Sequence, residues 1–315
     1  MIPIGFLIIV FGILLIMSQK YVKDSSIKKY LDQYLWTKII FALFVLSIGV
    51  TSINNLIAQN LLVFPLGILS SLWMDLAFTF VLLHSSLALG NKNTGILFIL
   101  SLFFGFFSEF LGVKYGLIFG HYYYNLPPFF FGAVPLMTPI SWAIIIYMCY
   151  GVTNFILQSA GGDKPNLRDN RVNLFIMIIV LSSIDGLIAM NLDMIIDPIA
   201  ALPGVEAWVW IGGGPYFAVP ISNFIGWFMV TFVATFIFRF YESLSNKTEI
   251  QKDMSLFTYI PAVYFLYFLE HATFAMKNGS HIEIVLIGVA AMLPFILISI
   301  LLFLNKHYKE NNENK

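Results

Sequence analysis

The sequence predicts an all-α integral membrane protein, a single domain over residues 1–315 built as a bundle of about nine transmembrane helices. Three observations predict it. Hydrophobic residues make up 59% of the chain and charged residues only 11%. An ordinary globular chain is roughly a quarter charged, so this one has too few charges to cover a water-facing surface. Long apolar runs such as Ile39 to Ile53 and Ile284 to Leu304 recur from end to end, as bilayer-crossing helices require. The third observation is the placement of the positive charges, which alternates along the chain.

The first apolar stretch, Ile2 to Met17, is short enough for a signal-peptide core. No basic residues precede it and no small-x-small cleavage site follows, so it reads as a retained first helix. Further spans are expected at about 38–57, 62–89, 94–113, 135–158, 172–193, 220–240, 256–276 and 282–304. Lys20, Lys23, Lys28, Lys29 and Lys38 follow the first helix. Lys92, then Lys164, Arg168 and Arg171, then Arg239, Lys247 and Lys252, then Lys306, Lys309 and Lys315 fall on the same side. Only Lys114 and Lys277 fall on the other, a split of 15 to 2 among the 17 basic residues. The positive-inside rule then places the N-terminus outside and the C-terminus in the cytoplasm, with the chain multi-pass in the cell membrane. The polar tail from Asn305 is expected to fray, with about 306–315 disordered.

Several function classes are excluded or disfavoured. Seventeen Lys+Arg balance seventeen Asp+Glu, which argues against a nucleic-acid partner. The single cysteine, Cys149, lies in an apolar run and cannot form an internal disulfide. There is no Walker loop, no nucleotide-binding glycine pattern after a strand and no Asp-rich magnesium motif, so phosphate chemistry is not expected. His84, His121, His271 and His281 are scattered, and Glu270 and His271 are neighbours that a helix points to different sides. No metal site is expected.

Two uncharged loops, about 114–134 and 194–219, fall on the outer face and are rich in Gly, Pro, Tyr and Trp. Backbone at membrane depth outside a helix must be covered by protein, so both are expected to fold back into the bundle. They carry an apparent internal repeat. Ala133, Val134 and Pro135 with Ile140 and Trp142 match Ala218, Val219 and Pro220 with Ile225 and Trp227 at an offset of 85 residues. The two copies, about 105–142 and 190–227, read as parallel helix-loop-helix units that bring Glu109 to face Asp193 and Asp197 across one cavity. The competing reading is a helix start with an interfacial Trp that recurs by chance.

The chemistry must come from intramembrane polar residues, which are expensive to bury. These are Asp75, Glu109, Asp185, Asp193, Asp197 and Glu270, with His84 and His271. Arg239 is counted with the inner charges, so no cation is expected to pair with the acids. They must then be partly protonated, hydrogen-bonded to one another or near water. Asp193 and Asp197 are one helical turn apart, although Pro198 biases Asp197 out of the helix. Glu109, Asp193 and Asp197 crowd one end of the bundle and are the candidate proton-handling groups. Asp75 and Asp185 serve equally well as helix caps or interhelical hydrogen-bond partners. Gly112, Gly116 and Gly120 read as a small-residue ladder for close helix contact.

Two stretches together carry a family resemblance. One holds Glu109, Gly112, Gly116, Gly120, Tyr122 and Tyr124, followed by Val134, Pro135, Leu136, Pro139 and Trp142. The other holds Leu192, Asp193, Asp197 and Pro198 with Trp208, Trp210, Tyr216, Pro220, Asn223, Gly226 and Trp227. Over about 105 to 230 the chain resembles the membrane carotenoid-biosynthesis family of the bisanhydrobacterioruberin hydratase type. It departs from the family pattern at Ala218, where the family is expected to carry Gly, and at Tyr115, where a smaller residue is usual.

The resemblance implies addition of water to a terminal carbon–carbon double bond of a linear carotenoid, giving a tertiary alcohol without a cofactor. Its partners would be the carotenoid, membrane lipid and other enzymes of the pathway. On that reading Glu109, Asp193 and Asp197 are catalytic. Tyr122, Tyr124, Trp208, Trp210 and Tyr216 line the cation site, and Trp142, Asn223 and Trp227 join them in binding substrate. A hydratase needs an acid to protonate the alkene, aromatic faces for the cation and a positioned water. Two alternatives stay open: an end-group cyclase, which quenches the same cation internally, and a proton-coupled transporter of a small lipophilic solute.

Overall fold

A computed structural model of the chain describes residues 2–21, 32–57, 66–125, 132–162, 171–244, 258–277, 279 and 281–313. Among these residues it contains ten helices and one two-stranded ribbon. In chain order they are α1 (Ile2–Tyr21), α2 (Gln33–Ile57), α3 (Leu66–Ser71), α4 (Trp73–Leu89), α5 (Asn91–Tyr115), β1 (Tyr122–Tyr124) and α6 (Met137–Ser159). There follow α7 (Arg171–Ala200), β2 (Trp208–Trp210), α8 (Ile221–Leu244), α9 (Ile260–Lys277) and α10 (Ile282–Glu313).

Among the described residues, six helices are long and apolar enough to cross a membrane: α2, α5, α6, α7, α8 and α10 as far as Asn305. Two further apolar stretches, Leu7–Ser18 and Trp73–Leu89, are shorter. The span expected at 62–89 is interrupted at Leu72, between α3 and α4, and its first residues lie outside the described ones. The helical path of α10 continues through Glu313, where the sequence suggests a frayed tail from Asn305.

Helix α6 is the axis of the bundle. It is apolar on every face and buried almost without interruption from Trp142 to Phe155, the pattern of a helix enclosed by others. It packs against α4, α5, α7, α9 and α10. The helices alternate in direction, so α4, α6, α8 and α10 begin, and α5, α7 and α9 end, at the end of the bundle that carries the ribbon. Gly5 packs on Asp75 and Gly12 on Thr79, so α1 runs parallel to α4 and also starts at the ribbon end. Lys114 and Lys277 close α5 and α9 at that end, whereas Lys92 and Arg171 begin α5 and α7 at the far end.

One expectation fails at the far end. Arg239 is 2% exposed and is a core residue. Its Nε and Nη2 each donate to Asp185 at 2.9 Å, and its Nη1 donates to Asn154 Oδ1 at 2.9 Å. Its guanidinium lies over the Tyr150 ring at 4.5 Å, and Tyr150 donates to Glu242 at 2.7 Å. Asp185 therefore has a bidentate cation partner, which explains how a charge is tolerated there. Arg239 sits at the edge of an apolar span, and its long stem lets the charge reach back into the bundle. Replacing Arg239 by Leu leaves Asp185 buried and unpaired. The expected loss is about 3–5 kcal/mol of stability, read as a lower thermal midpoint in detergent. The double change Arg239→Leu with Asp185→Leu should recover a large part of it.

Asp75 lies in the first turn of α4, where a carboxylate complements the helix N-terminus. That placement supports a structural role.

Candidate active site

The two loops of unusual composition meet as an antiparallel ribbon. Tyr122 pairs with Trp210, Tyr123 with Val209 and Tyr124 with Trp208. Successive residues of a strand face opposite sides, so Tyr122, Tyr124, Trp208 and Trp210 share one face and Tyr123 and Val209 the other. The four-ring face turns into the bundle, while Tyr123 is exposed. The cross-strand pairs bring ring centroids to 5.7 Å for Tyr122 and Trp210 and 5.8 Å for Tyr124 and Trp208. The loops thus cover their own backbone and roof the cavity below.

Glycines set how close these rings come. At Gly105 a Cβ would lie 2.5 Å from Trp142, at Gly112 2.7 Å from Tyr122 and at Gly226 2.5 Å from Phe119. The expected ladder of Gly112, Gly116 and Gly120 does not lie on one helix face. Gly116 ends α5 in the left-handed conformation, φ 68°, and Gly120 sits beyond it in the loop. Ala218 also adopts a positive φ, 66°, a conformation that glycine takes freely. This is a physical reason for the glycine the family is expected to carry there.

Glu109, 6% exposed on α5, is held by three donors. Trp142 Nε1 donates to its Oε1 at 2.8 Å, Tyr124 Oη donates to its Oε2 at 2.8 Å, and Tyr122 Oη donates to the same oxygen. The indole can only donate. Burial first, and then the carboxylate beside them, push both phenols well above their usual range, which keeps their hydrogens in place. Three donors on two oxygens suit an ionised carboxylate.

Asp193 and Asp197 make a second arrangement on α7. The helix does not break before Pro198 but continues to Ala200, so the two aspartates do lie one turn apart on one helix. Pro198 has no N–H for the carbonyl four residues back, that of Met194. Tyr216 supplies the missing bond, donating to Met194 O at 2.8 Å. Burial and then Asp193 push the Tyr216 phenol up to about 12, so it remains a donor. Asp193 and Asp197 are both buried and meet at one Asn223 amide nitrogen, and two carboxyls placed so close favour sharing one proton. Asn223 donates its amide to both, to Asp193 at 2.7 Å. Pro220 fixes the start of α8, with Asn223 N bonded to Pro220 O at 3.0 Å, and so sets the height at which the Asn223 amide meets the acids.

Glu109, Asp197 and Asn223 line one cavity of about 200 Å³, with Tyr122, Tyr124, Trp142, Trp208, Trp210 and Trp227. Trp142 and Trp227 approach to 4.6 Å between centroids. Asp193 is fully buried and stands behind Asp197 rather than on the wall. Tyr216 is not on the wall either, because its hydroxyl is used to mend α7. Sequence reasoning missed Trp73, Met74, Thr138, Ser141 and Tyr267, and named His271 only among the intramembrane polar residues; all of them line the same space. Glu270 and His271 do not point apart as expected, since His271 Nδ1 lies 3.0 Å from Glu270 Oε2. Among the described residues no cluster of three or more His, Cys, Asp or Glu is arranged to hold a metal.

The cavity is partly open, mainly aromatic and acidic at one wall, which suits an apolar ligand that exchanges a proton. No curated protein and no solved structure matches the chain. A family model does match, over residues 67–294, a stretch that contains every residue of the cavity wall, and by that match the chain belongs to the family described as carotenoid biosynthesis protein.

Proposed function

We propose that this protein is a hydratase that adds water across a terminal carbon–carbon double bond of a linear carotenoid to give a tertiary alcohol. The observation that carries the reading is the pairing of two unlike acid groups in one aromatic cavity. Glu109 is surrounded by donors, whereas Asp193 and Asp197 are neighbouring acids bridged by Asn223, and on this reading they share one proton. Pairs of carboxyls whose surroundings favour opposite protonation states are the usual arrangement for acid and base roles.

In this mechanism Asp197, on the wall, delivers the shared proton to the less substituted carbon of the alkene. The π pair becomes the new C–H bond and leaves a tertiary cation on the neighbouring carbon. The Trp and Tyr faces and the Glu109 carboxylate stabilise that cation. A water oxygen bonds to it, the released proton passes to Glu109, and its return to the aspartate pair closes the cycle. The sum is one water per double bond. The basic residues at the far end would face the cytoplasm and the ribbon end the outside. The substrate would enter from the bilayer, with lipid and other pathway enzymes as neighbours.

The test is incubation of purified protein in detergent with a linear carotenoid in ¹⁸O-labelled water. The expected product is an alcohol carrying the label. A cyclised end group without oxygen would replace hydration by the cyclase reaction, and recovery of unchanged carotenoid from folded, carotenoid-binding protein would remove the enzyme reading.

A further inference from the structure

The wall of the cavity supplied by α4 and α9 has no part in the scheme above. It carries polar atoms that a hydrocarbon cannot satisfy. Tyr267 is 3% exposed and lines the cavity, and its hydroxyl has no hydrogen-bond partner among the described residues. An unmatched buried hydroxyl costs about 1–3 kcal/mol, so this atom needs a partner. His271 lines the cavity one turn further along the same helix. Its Nδ1 meets two acceptors, Tyr267 O at 2.8 Å and Glu270 Oε2 at 3.0 Å, so that nitrogen carries a hydrogen. In the neutral ring Nε2 is then an acceptor. The two rings lie nearly parallel, 17° apart with centroids at 6.2 Å, and both border the cavity. Trp73 stands edge-on to both, at 5.4 Å and 6.2 Å, and fixes their orientation.

A hydroxyl that both donates and accepts, beside a ring nitrogen that accepts, offers two of the two to four partners that a held water needs. We propose that Tyr267 and His271 form the pole of the cavity that holds the attacking water over the tertiary carbon. The inference rests on the hydratase reading and adds residues to it. The carbon–oxygen bond forms from a lone pair of this held water, and the proton it sheds is the one passed to Glu109. Tyr267 and His271 are positioning residues for the nucleophile, and protonation of the alkene does not need them.

That separation gives the test a readout that a merely structural role would not move. The reaction is run in deuterium oxide with wild-type protein, Tyr267→Phe and His271→Phe. A cation formed without a placed water returns to alkene by losing a proton. Deuterium then accumulates in recovered hydrocarbon, including the isomer in which a methyl proton is lost. In both variants the ratio of deuterated hydrocarbon to alcohol should rise by on the order of tenfold or more over wild type. Carotenoid binding, followed by visible absorption, should be kept. His271→Gln, which restores an acceptor, should bring the ratio part of the way back.

An unchanged ratio in variants that still bind carotenoid would overturn the proposal while leaving hydration standing. Loss of carotenoid binding in both Phe variants, with no shift of ratio in His271→Gln, would also overturn it. Absence of alcohol with wild-type protein would overturn hydration itself and this inference with it.

Discussion

Glu109→Gln is expected to lower turnover by on the order of 100-fold or more, the scale of a lost acid–base group. The substitution keeps the size and shape of the side chain but removes the charge on which three donors converge. Two consequences follow for the reaction. The developing cation loses one formal negative charge of the cavity wall, and the proton released by the attacking water loses its acceptor. Trp142 can only donate, so the Gln amide must turn its oxygen toward the indole, and its NH₂ then meets Tyr122 and Tyr124. Those phenols can rotate to accept, so the variant should fold with its ring geometry preserved. Carotenoid binding by visible absorption and the thermal midpoint in detergent are the controls. Full turnover in a variant that passes both controls would remove Glu109 from the chemistry.

What was legible in the sequence follows from how local each signal is. Helix identity and direction came from apolar runs and from the spacing of basic residues, and α5, α7 and α8 alternate as those imply. The ring-bearing residues on β1 and β2 could be named, but the antiparallel pairing that puts all four on one face depends on contact between segments some eighty residues apart. Asp197 was biased out of the helix by Pro198, yet α7 continues. The compensation comes from the Tyr216 hydroxyl, a tertiary contact invisible to a local rule.

Arg239 was hidden for a related reason. A residue at the margin of a span can send its charge either way, and only the position of Asp185 on the neighbouring helix decides it. The wall formed by Trp73, Tyr267 and His271 left one trace in the sequence, the spacing of four between Tyr267 and His271. That spacing means a shared face only once α9 is known to border the cavity.

Asp197→Asn is expected to have an effect at least as large as that of Glu109→Gln, and a different isotopic signature. Asp197 borders the cavity and Asp193 lies behind it, so the proton they hold reaches the alkene through Asp197. An amide at 197 can still accept from Asn223, but it has no acidic proton to give. Turnover should fall by on the order of 100-fold or more, and deuterium from the solvent should no longer enter recovered hydrocarbon, because the cation is never formed. Asp193→Asn removes the proton-sharing partner but leaves a carboxyl on the wall, so a smaller loss, on the order of tenfold, is expected with deuterium exchange still detectable. The Tyr267 and His271 variants should show the opposite pattern, with exchange retained and alcohol lost. The comparison therefore orders the steps. Absence of exchange in Asp197→Asn together with exchange in Tyr267→Phe places Asp197 before the cation and Tyr267 after it. Undiminished exchange in Asp197→Asn would instead assign the proton delivery to another group and leave Glu109 as the acid to test next.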